Sequence, residues 1–418
     1  MATRPKAASN SQAKKQALSK TPASPDAGFD EFAKGLGLDP TTLDSRIARA
    51  EEHALESLAL VRPRFEALYN LKLPIGLAHL YALFHALGEL PENPAQHYWQ
   101  PEPGFDRGGA WMDAALSVRS SGLLEWFAPG GLDRKCFSAE ELLPKNHPAA
   151  KKSKKNGGSK ASEPLPLDAR LDMRYRCDAP QFVTFLGGDS DGLHWGFWYD
   201  SPEFYPIIAH NYARDSAETW LDGEALTLAF LRVRATEIFE ENAEELELLK
   251  EDNEARPYAI RRRWALRIVQ AHLDALDRLL AKRSWPEEPH CPWPRTKAGP
   301  VGSPSLALKP RSGRVPTHIP GMGKPSLGTP SVQKRKLWLK EAQDGLKEGN
   351  SAYAHVLGLY LHWLDADELR EEAGQLLMDA YQSLGFKPFA DILKLHLEHR
   401  DLPSVAVFKD TPDEGEEK

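Results

Sequence analysis

The sequence predicts an α+β fold in which helices pack around an antiparallel sheet. Apolar residues recur every three or four positions in two early stretches, at about 40–70 and 74–87. Between 171 and 199 apolar and polar residues alternate, which is the period of a β-strand, and helical spacing returns between 356 and 400. Helical and strand stretches that occupy separate parts of a chain are typical of α+β domains.

The early helices are marked by residues that favour helix ends. Thr41 or Thr42 is a suitable N-cap for the first helix, and Pro74 suits the first turn of the second. Gly88 follows the second helix directly, as glycine commonly does at a helix C-terminus. Two longer helices are predicted after the sheet, at about 223–242 and at about 257–282 with Pro257 in its first turn.

The sheet is predicted from alternation and from one turn. Leu171, Met173 and Tyr175 alternate with charged residues and indicate a first strand. The loop GGDSDG at 187–192 predicts a hairpin, because glycine and aspartate accept the positive φ angles that such loops need. A phosphate or calcium loop is disfavoured, because no helix follows and the spaced oxygen ligands of a calcium loop are missing. Further strands are predicted at 182–186, 193–199 and 205–209, with Trp195, Phe197 and Tyr199 in the core or on a sheet face.

The stretch 356–400 predicts two or three short helices. Gly385 and Pro388 separate two apolar faces, as a helix stop and a restart do. Ala373 and Gly374 are small residues that allow close approach of another helix. The two faces consist of Leu376, Leu377, Ala380, Tyr381 and Leu384, and of Phe389, Ile392, Leu393 and Leu397.

Composition divides the chain into five parts. Segments rich in Pro, Gly, Ser or Lys that lack an apolar period are expected to be disordered. The parts are a disordered basic tail at 1–26, an α+β domain at 27–285 with a disordered Lys-rich loop at 144–166, a Pro- and Gly-rich linker at 286–331, a helical C-terminal domain at 332–408, and an acidic tail at 409–418.

Charge and composition exclude several classes of protein. The formal net charge of −7 disfavours a general nucleic-acid binder, so the Lys-rich segments predict at most weak attraction to polyanions. No run of eighteen apolar residues is present, and the N-terminus lacks the apolar part of a secretory signal, so no membrane association is expected. The chain is expected to be a cytoplasmic monomer.

Metal, disulfide and cofactor sites are not predicted. Cys136, Cys177 and Cys291 are scattered and odd in number, which indicates a reducing compartment. His396 and His399 are three residues apart but lack a convincing third ligand. Walker, Rossmann, GxSxG and HExxH motifs are absent, so no cofactor and no free-standing enzyme are predicted.

Three blocks of sequence carry a family resemblance. The C-terminal block, with AGQLL, AY, FADI and HLEHR between 373 and 400, resembles the histone PARylation factor family. The blocks YNLKLPIGLAHLYALFHAL at 69–87 and FVTFLGGDSDGLHWGFWYDSPEFYPIIAHN at 182–211 resemble the N-terminal domain of that family, and the wider SMI1/KNR4-like (SUKH) superfamily. Proteins of the factor family are accessory subunits of poly(ADP-ribose) polymerases and redirect ADP-ribose onto serine.

The resemblance implies one catalytic residue. Extended backwards without a gap from Leu357 and Gly358, it places the family's catalytic glutamate on Glu348. It implies that Glu348, on an exposed and partly desolvated site, acts as general base for the acceptor serine inside a partner ADP-ribosyltransferase. The Tyr-Arg pair that the family carries upstream does not occur between 286 and 348. The alternative is a SUKH-like binding or immunity protein that sequesters a toxin or another protein without catalysis.

Overall fold

The computed structural model describes residues 25–90, 107–143, 164–215, 217, 219–224, 228–252, 255–291 and 331–409. The predicted disorder of the tails, of the Lys-rich loop and of the linker therefore falls largely outside the described residues. No helix in these ranges combines the length and the apolar character needed to cross a bilayer.

Helices form both ends of the described fold and enclose its sheet, which confirms the α+β class. The first seven are α1 (Phe29–Gly35), α2 (Pro40–Tyr69), α3 (Gly76–Gly88), α4 (Arg107–Leu116), α5 (Ala139–Leu142), α6 (Ala229–Leu248) and α7 (Arg256–Leu280). The last four are α8 (Val332–Lys347), α9 (Ala352–Leu364), α10 (Arg370–Leu384) and α11 (Lys387–His399).

The ends of the early helices differ in detail from the prediction. Asp39, and not Thr41 or Thr42, is the N-cap of α2, because its Oδ1 accepts a hydrogen bond from the backbone N–H of Thr42 at 3.1 Å. Pro74 lies just before α3, whose first residue is Gly76. Pro257 lies in the first turn of α7, as predicted.

The sheet has five antiparallel strands in the order of the chain. They are β1 (Val118–Ser120), β2 (Phe182–Gly188), β3 (Leu193–Trp198), β4 (Ile207–Tyr212) and β5 (Thr219–Glu224). The GGDSDG hairpin between β2 and β3 is confirmed, with Gly187 paired to His194. Asp191 and Gly192 adopt φ angles of 47° and 69°, the positive values that the turn requires.

Two predicted elements are wrong. The segment around Leu171 and Tyr175 is not a strand: it contains a short 3₁₀ turn at Ala169–Leu171, and Met173 has a φ of 51°. Arg174, one of the charged residues of the alternating pattern, turns inward. Its guanidinium group donates to the carbonyls of Ala179 and Phe182 at 2.9 and 2.8 Å. The helix predicted from Gly223 begins only at Ala229, and Gly223 itself belongs to β5.

The C-terminal helices share a hydrophobic core with the sheet and the early helices. Leu377 and Tyr381 of α10, together with Phe389 and Leu393 of α11, are fully buried in this core. Gly385 ends α10 with a φ of 74°, so the predicted stop and the burial of the Leu377 face are confirmed.

Buried hydrogen bonds join the same parts of the chain. The Tyr381 hydroxyl donates to Oε1 of Gln181 at 3.0 Å, and the Gln181 amide lies 2.8 Å from the Nε2 of His355. The Nε2 of His362 lies 3.0 Å from the carbonyl oxygen of Asp178. These contacts fix α9 and α10 against the residues that lead into β2.

The C-terminal segment at 405–409 runs between two earlier parts of the chain. The backbone N–H groups of Met173 and Phe137 donate to the carbonyls of Val405 and Val407 at 2.7 and 2.8 Å. The Val407 N–H donates in turn to Oδ1 of Asp172 at 3.1 Å, while Oδ2 of Asp172 is buried without a partner among the described residues.

We expect Asp172→Asn to stabilise the protein above neutral pH. Burial raises the pKa of Asp172 to about 7, so its charged form is disfavoured in the folded protein. The stability that this group contributes is complete below pH 3.8 and is lost as pH rises through 7. Asn cannot ionise and therefore avoids that loss, so the free energy of unfolding of the variant should exceed that of the wild type by about 2–4 kcal/mol at pH 8. Urea unfolding at pH 8 and pH 5 measures this, and an equal gain at both pH values would contradict it.

Candidate functional site

The candidate site lies at the end of α8. Ser331 is the N-cap of this helix, since its Oγ accepts a hydrogen bond from the Lys334 N–H at 3.4 Å. The helix runs from Val332 to Lys347, and Glu348 is its C-cap. Ala342 is the buried residue of α8, and Trp338 and Leu339 pack against the apolar cluster of α9 and α10. Most of the remaining surface of α8 is exposed.

The backbone at Glu348 is held by a helix-terminating turn. Its N–H donates to the carbonyl of Asp344 at 3.1 Å, and the Asn350 N–H donates to the carbonyl of Gly345 at 2.8 Å. Gly349 stands between them with a φ of 77°, the left-handed conformation that commonly closes a helix. The Cα of Glu348 is thus fixed, while its side chain is exposed.

The charges around Glu348 leave its carboxylate free. Lys340 and Lys347, the lysines of the last two turns, both bind Asp344, at 2.9 and 3.5 Å. The hydrogen bond from Lys340 lowers the pKa of Asp344 below its usual value. No cationic group of the described residues lies within 4.0 Å of the Glu348 carboxylate. A carboxylate at a helix C-terminus is mildly unfavourable, so helix stability does not explain Glu348.

Glu348 is exposed, as expected. Of the described residues, Val332 and Leu337 on the same helix are large apolar side chains that remain 55% and 63% exposed. Leu337 precedes Glu348 by three helical turns and therefore lies on the same helix face, about 16 Å away. The segment 200–205 has no large apolar side chain of comparable exposure.

Other residues with functional potential have structural roles. Trp195, Phe197 and Tyr199 are buried, which confirms their assignment to the core or the sheet, and the Tyr199 hydroxyl donates to the carbonyl of Lys72 at 2.9 Å. His396 is buried and His399 is half-buried. The described ranges contain no group of three or more His, Cys, Asp or Glu side chains that could hold a metal ion. Cys136 and Cys177 are half-buried free thiols.

Sequence analysis missed a small cavity between α11 and the segment that precedes β2. Three arginines and two histidines line it: Arg174, Arg176, Arg400, His396 and His399. The spacing of the two histidines was the one signal in the sequence, since Arg174 and Arg176 lie more than 200 residues before Arg400.

Comparison of the sequence with protein-family models and with curated proteins gave no match. The resemblance to the histone PARylation factor family therefore rests on the quoted motifs alone.

Proposed function

We propose that this protein is a non-enzymatic accessory factor for protein ADP-ribosylation, which lends Glu348 to a partner ADP-ribosyltransferase. The observation that carries the proposal is the unpaired, exposed carboxylate of Glu348 on a fixed backbone. A serine hydroxyl is a poor nucleophile at neutral pH, and a positioned carboxylate can take its proton as ADP-ribose is transferred. A partner that covers Glu348 would supply the low-dielectric surroundings that the isolated chain does not provide.

The exposed apolar side chains of α8 support partner binding beside Glu348. Leu337 and Val332 are exposed on an element that otherwise carries many charged residues, and apolar anchors with a polar rim are typical of protein interfaces. A partner seated on Leu337 would extend along one helix face to Glu348. This arrangement would place the carboxylate at the edge of the contact.

We assign the helix–sheet part an SMI1/KNR4-like fold, supported by the antiparallel β2–β3 hairpin and by the helices packed on its sheet. The free thiols of Cys136 and Cys177 support a reducing, cytoplasmic location. The isolated chain is expected to be a monomer, with weak attraction of its Lys-rich segments to polyanions.

The proposal is tested by capture followed by reconstitution. The tagged full-length chain is used to capture partners from the native host, beside the variant Leu337→Asp, which places a charge on the proposed contact. We expect an ADP-ribosyltransferase to be retained by the wild type and lost with the variant. Adding the wild-type chain to that transferase with NAD and a serine peptide should produce serine modification. Transferase activity on serine that does not change when the chain is omitted would overturn the proposal.

A second function, a binding or immunity protein of the SUKH type, is favoured by the sheet edge. Trp220 on β5, the last strand of the sheet, is 38% exposed, although Trp is usually more buried. In the same capture experiment, a partner that is lost with Trp220→Thr and retained with Leu337→Asp would support this function. Loss with Leu337→Asp alone would support the accessory factor.

A further inference from the structure

A cavity of about 30 Å³ lies where α11 meets the segment that precedes β2. This volume has room for about two water-sized groups, such as two oxygen atoms of one small ion, and the cavity is partly open to solvent. Six of the residues that line it are polar, and none of the described lining residues carries a carboxyl group. These six are Arg174, Arg176, Arg400, His396, His399 and Ser404.

Two of the arginines are buried and positioned by backbone carbonyls. Arg174 is 8% exposed and uses three of its five N–H groups on the carbonyls of Arg170, Ala179 and Phe182. Arg400 is 4% exposed, and its Nε and Nη2 donate to the carbonyls of Arg176 and His362. Its Nη1 takes no part in these two hydrogen bonds. Both guanidinium groups therefore retain donors while their orientation is fixed.

His396 supplies a buried polar atom without a partner. The residue is 2% exposed, and its Nδ1 makes no hydrogen bond to the described residues. Burial lowers the pKa of His396 well below its usual value, so the ring is neutral and offers one N–H donor. An unsatisfied buried polar atom beside a cavity indicates a bound group that completes its hydrogen bonding.

Two carboxylates beside the cavity form ion pairs with Arg176 and Arg400. Asp365 binds Arg176 at 2.8 Å and Arg400 at 3.1 Å, and Asp401 binds Arg176 at 2.8 Å. Neither aspartate lines the cavity. The carboxylates thus orient the guanidinium groups from the side, as supporting residues do in a built binding site.

We propose that this cavity binds a small oxyanion of the phosphate class. Guanidinium groups match the geometry and the charge of phosphate oxygens, and two buried arginines with an imidazole donor can contact one tetrahedral group from different sides. The volume excludes a nucleoside, so the ligand is free phosphate or the terminal group of a phosphomonoester. Because the lining comes from both α11 and the residues before β2, a bound oxyanion would strengthen the contact between them.

The test is titration of the full-length chain with inorganic phosphate at constant ionic strength. Calorimetry measures the binding, and the midpoint of thermal unfolding is measured at each phosphate concentration. We expect saturable binding and an increase in the unfolding midpoint, since a ligand that binds only the folded state stabilises it. Glycerol phosphate, run in parallel, distinguishes the two sources: similar affinity indicates a phosphomonoester, and weaker affinity indicates free phosphate.

Two variants decide whether the cavity is responsible. Arg176→Gln removes a lining cation and should weaken phosphate binding about tenfold, as expected for one hydrogen bond to a charged group. The matched control is Arg119→Gln, because Arg119 is similarly exposed at 44% against 47% and also forms an ion pair, with Asp113 at 3.1 Å. The affinity of Arg119→Gln for phosphate should stay within about twofold of the wild-type value. Absence of saturable phosphate binding, or equal weakening by both variants, would overturn the proposal.

Discussion

Glu348→Gln should reduce serine-directed ADP-ribosylation by about 10²–10⁴-fold, the usual contribution of general-base catalysis. Gln keeps the size of the side chain and removes the proton acceptor, so binding of the transferase should persist. The rate of ADP-ribose transfer to a serine peptide measures the first effect, and co-purification measures the second. Glu348→Asp should also impair the reaction, because it withdraws the carboxylate by one methylene group from a geometry that matters at about the 1 Å scale.

The control for this experiment lies on the same helix. Glu341 is exposed on α8, seven residues or about two turns before Glu348, so Glu341→Gln removes the same charge from the same face. We expect Glu341→Gln to retain most of the serine modification. An unchanged rate with Glu348→Gln, in the presence of the cognate transferase, would show that Glu348 is not the base.

The second large effect concerns stability. Leu377→Ala should lower the free energy of unfolding by about 2–5 kcal/mol, because it opens a cavity in a fully buried part of the core. Leu377 packs closely against α9: a Cβ added to Gly358 would stand 2.7 Å from the Leu377 Cγ. This close packing leaves little freedom for the neighbours to fill the space. Urea unfolding followed by circular dichroism measures the loss.

Leu60→Ala is the matched control for Leu377→Ala. Leu60 is also helical, on α2, but it is 68% exposed. Its replacement should change the free energy of unfolding by no more than about 0.5 kcal/mol. Equal losses for the two variants would mean that Leu377 is not part of the core.

The sequence predicted those elements whose signals are local. A glycine–aspartate turn placed the β2–β3 hairpin, and Pro257 placed the start of α7. The alternation around Arg174 was misleading, because its guanidinium group satisfies carbonyls of residues that follow it and does not face solvent from a strand. Strand β5 was missed because its sequence, TWLDGE, is short and largely polar, and its pairing with β4 is what makes it a strand.

The candidate site was also predictable only where its signals are local. Glu348 could be placed at a helix end because Ser331 and Gly349 mark the two ends of α8. Its exposure depends on what packs over the helix, which spacing does not encode. The arginine-lined cavity required the fold, since Arg174 and Arg400 approach each other only through tertiary structure.

The position of the segment 405–409 bears on the order of folding during synthesis. The Val407 N–H donates to Asp172, which lies 235 residues earlier in the chain. The carbonyl of Val407 accepts a hydrogen bond from the N–H of Phe137. Domains usually fold as their N-terminal parts leave the ribosome, yet here the early residues receive these partners only after nearly the whole described chain has emerged. Contacts of such high sequence separation also slow folding, because a long loop must close first. The apolar residues that Leu377, Phe389 and Leu393 cover would stay accessible to chaperones, and to aggregation, until α10 and α11 arrive.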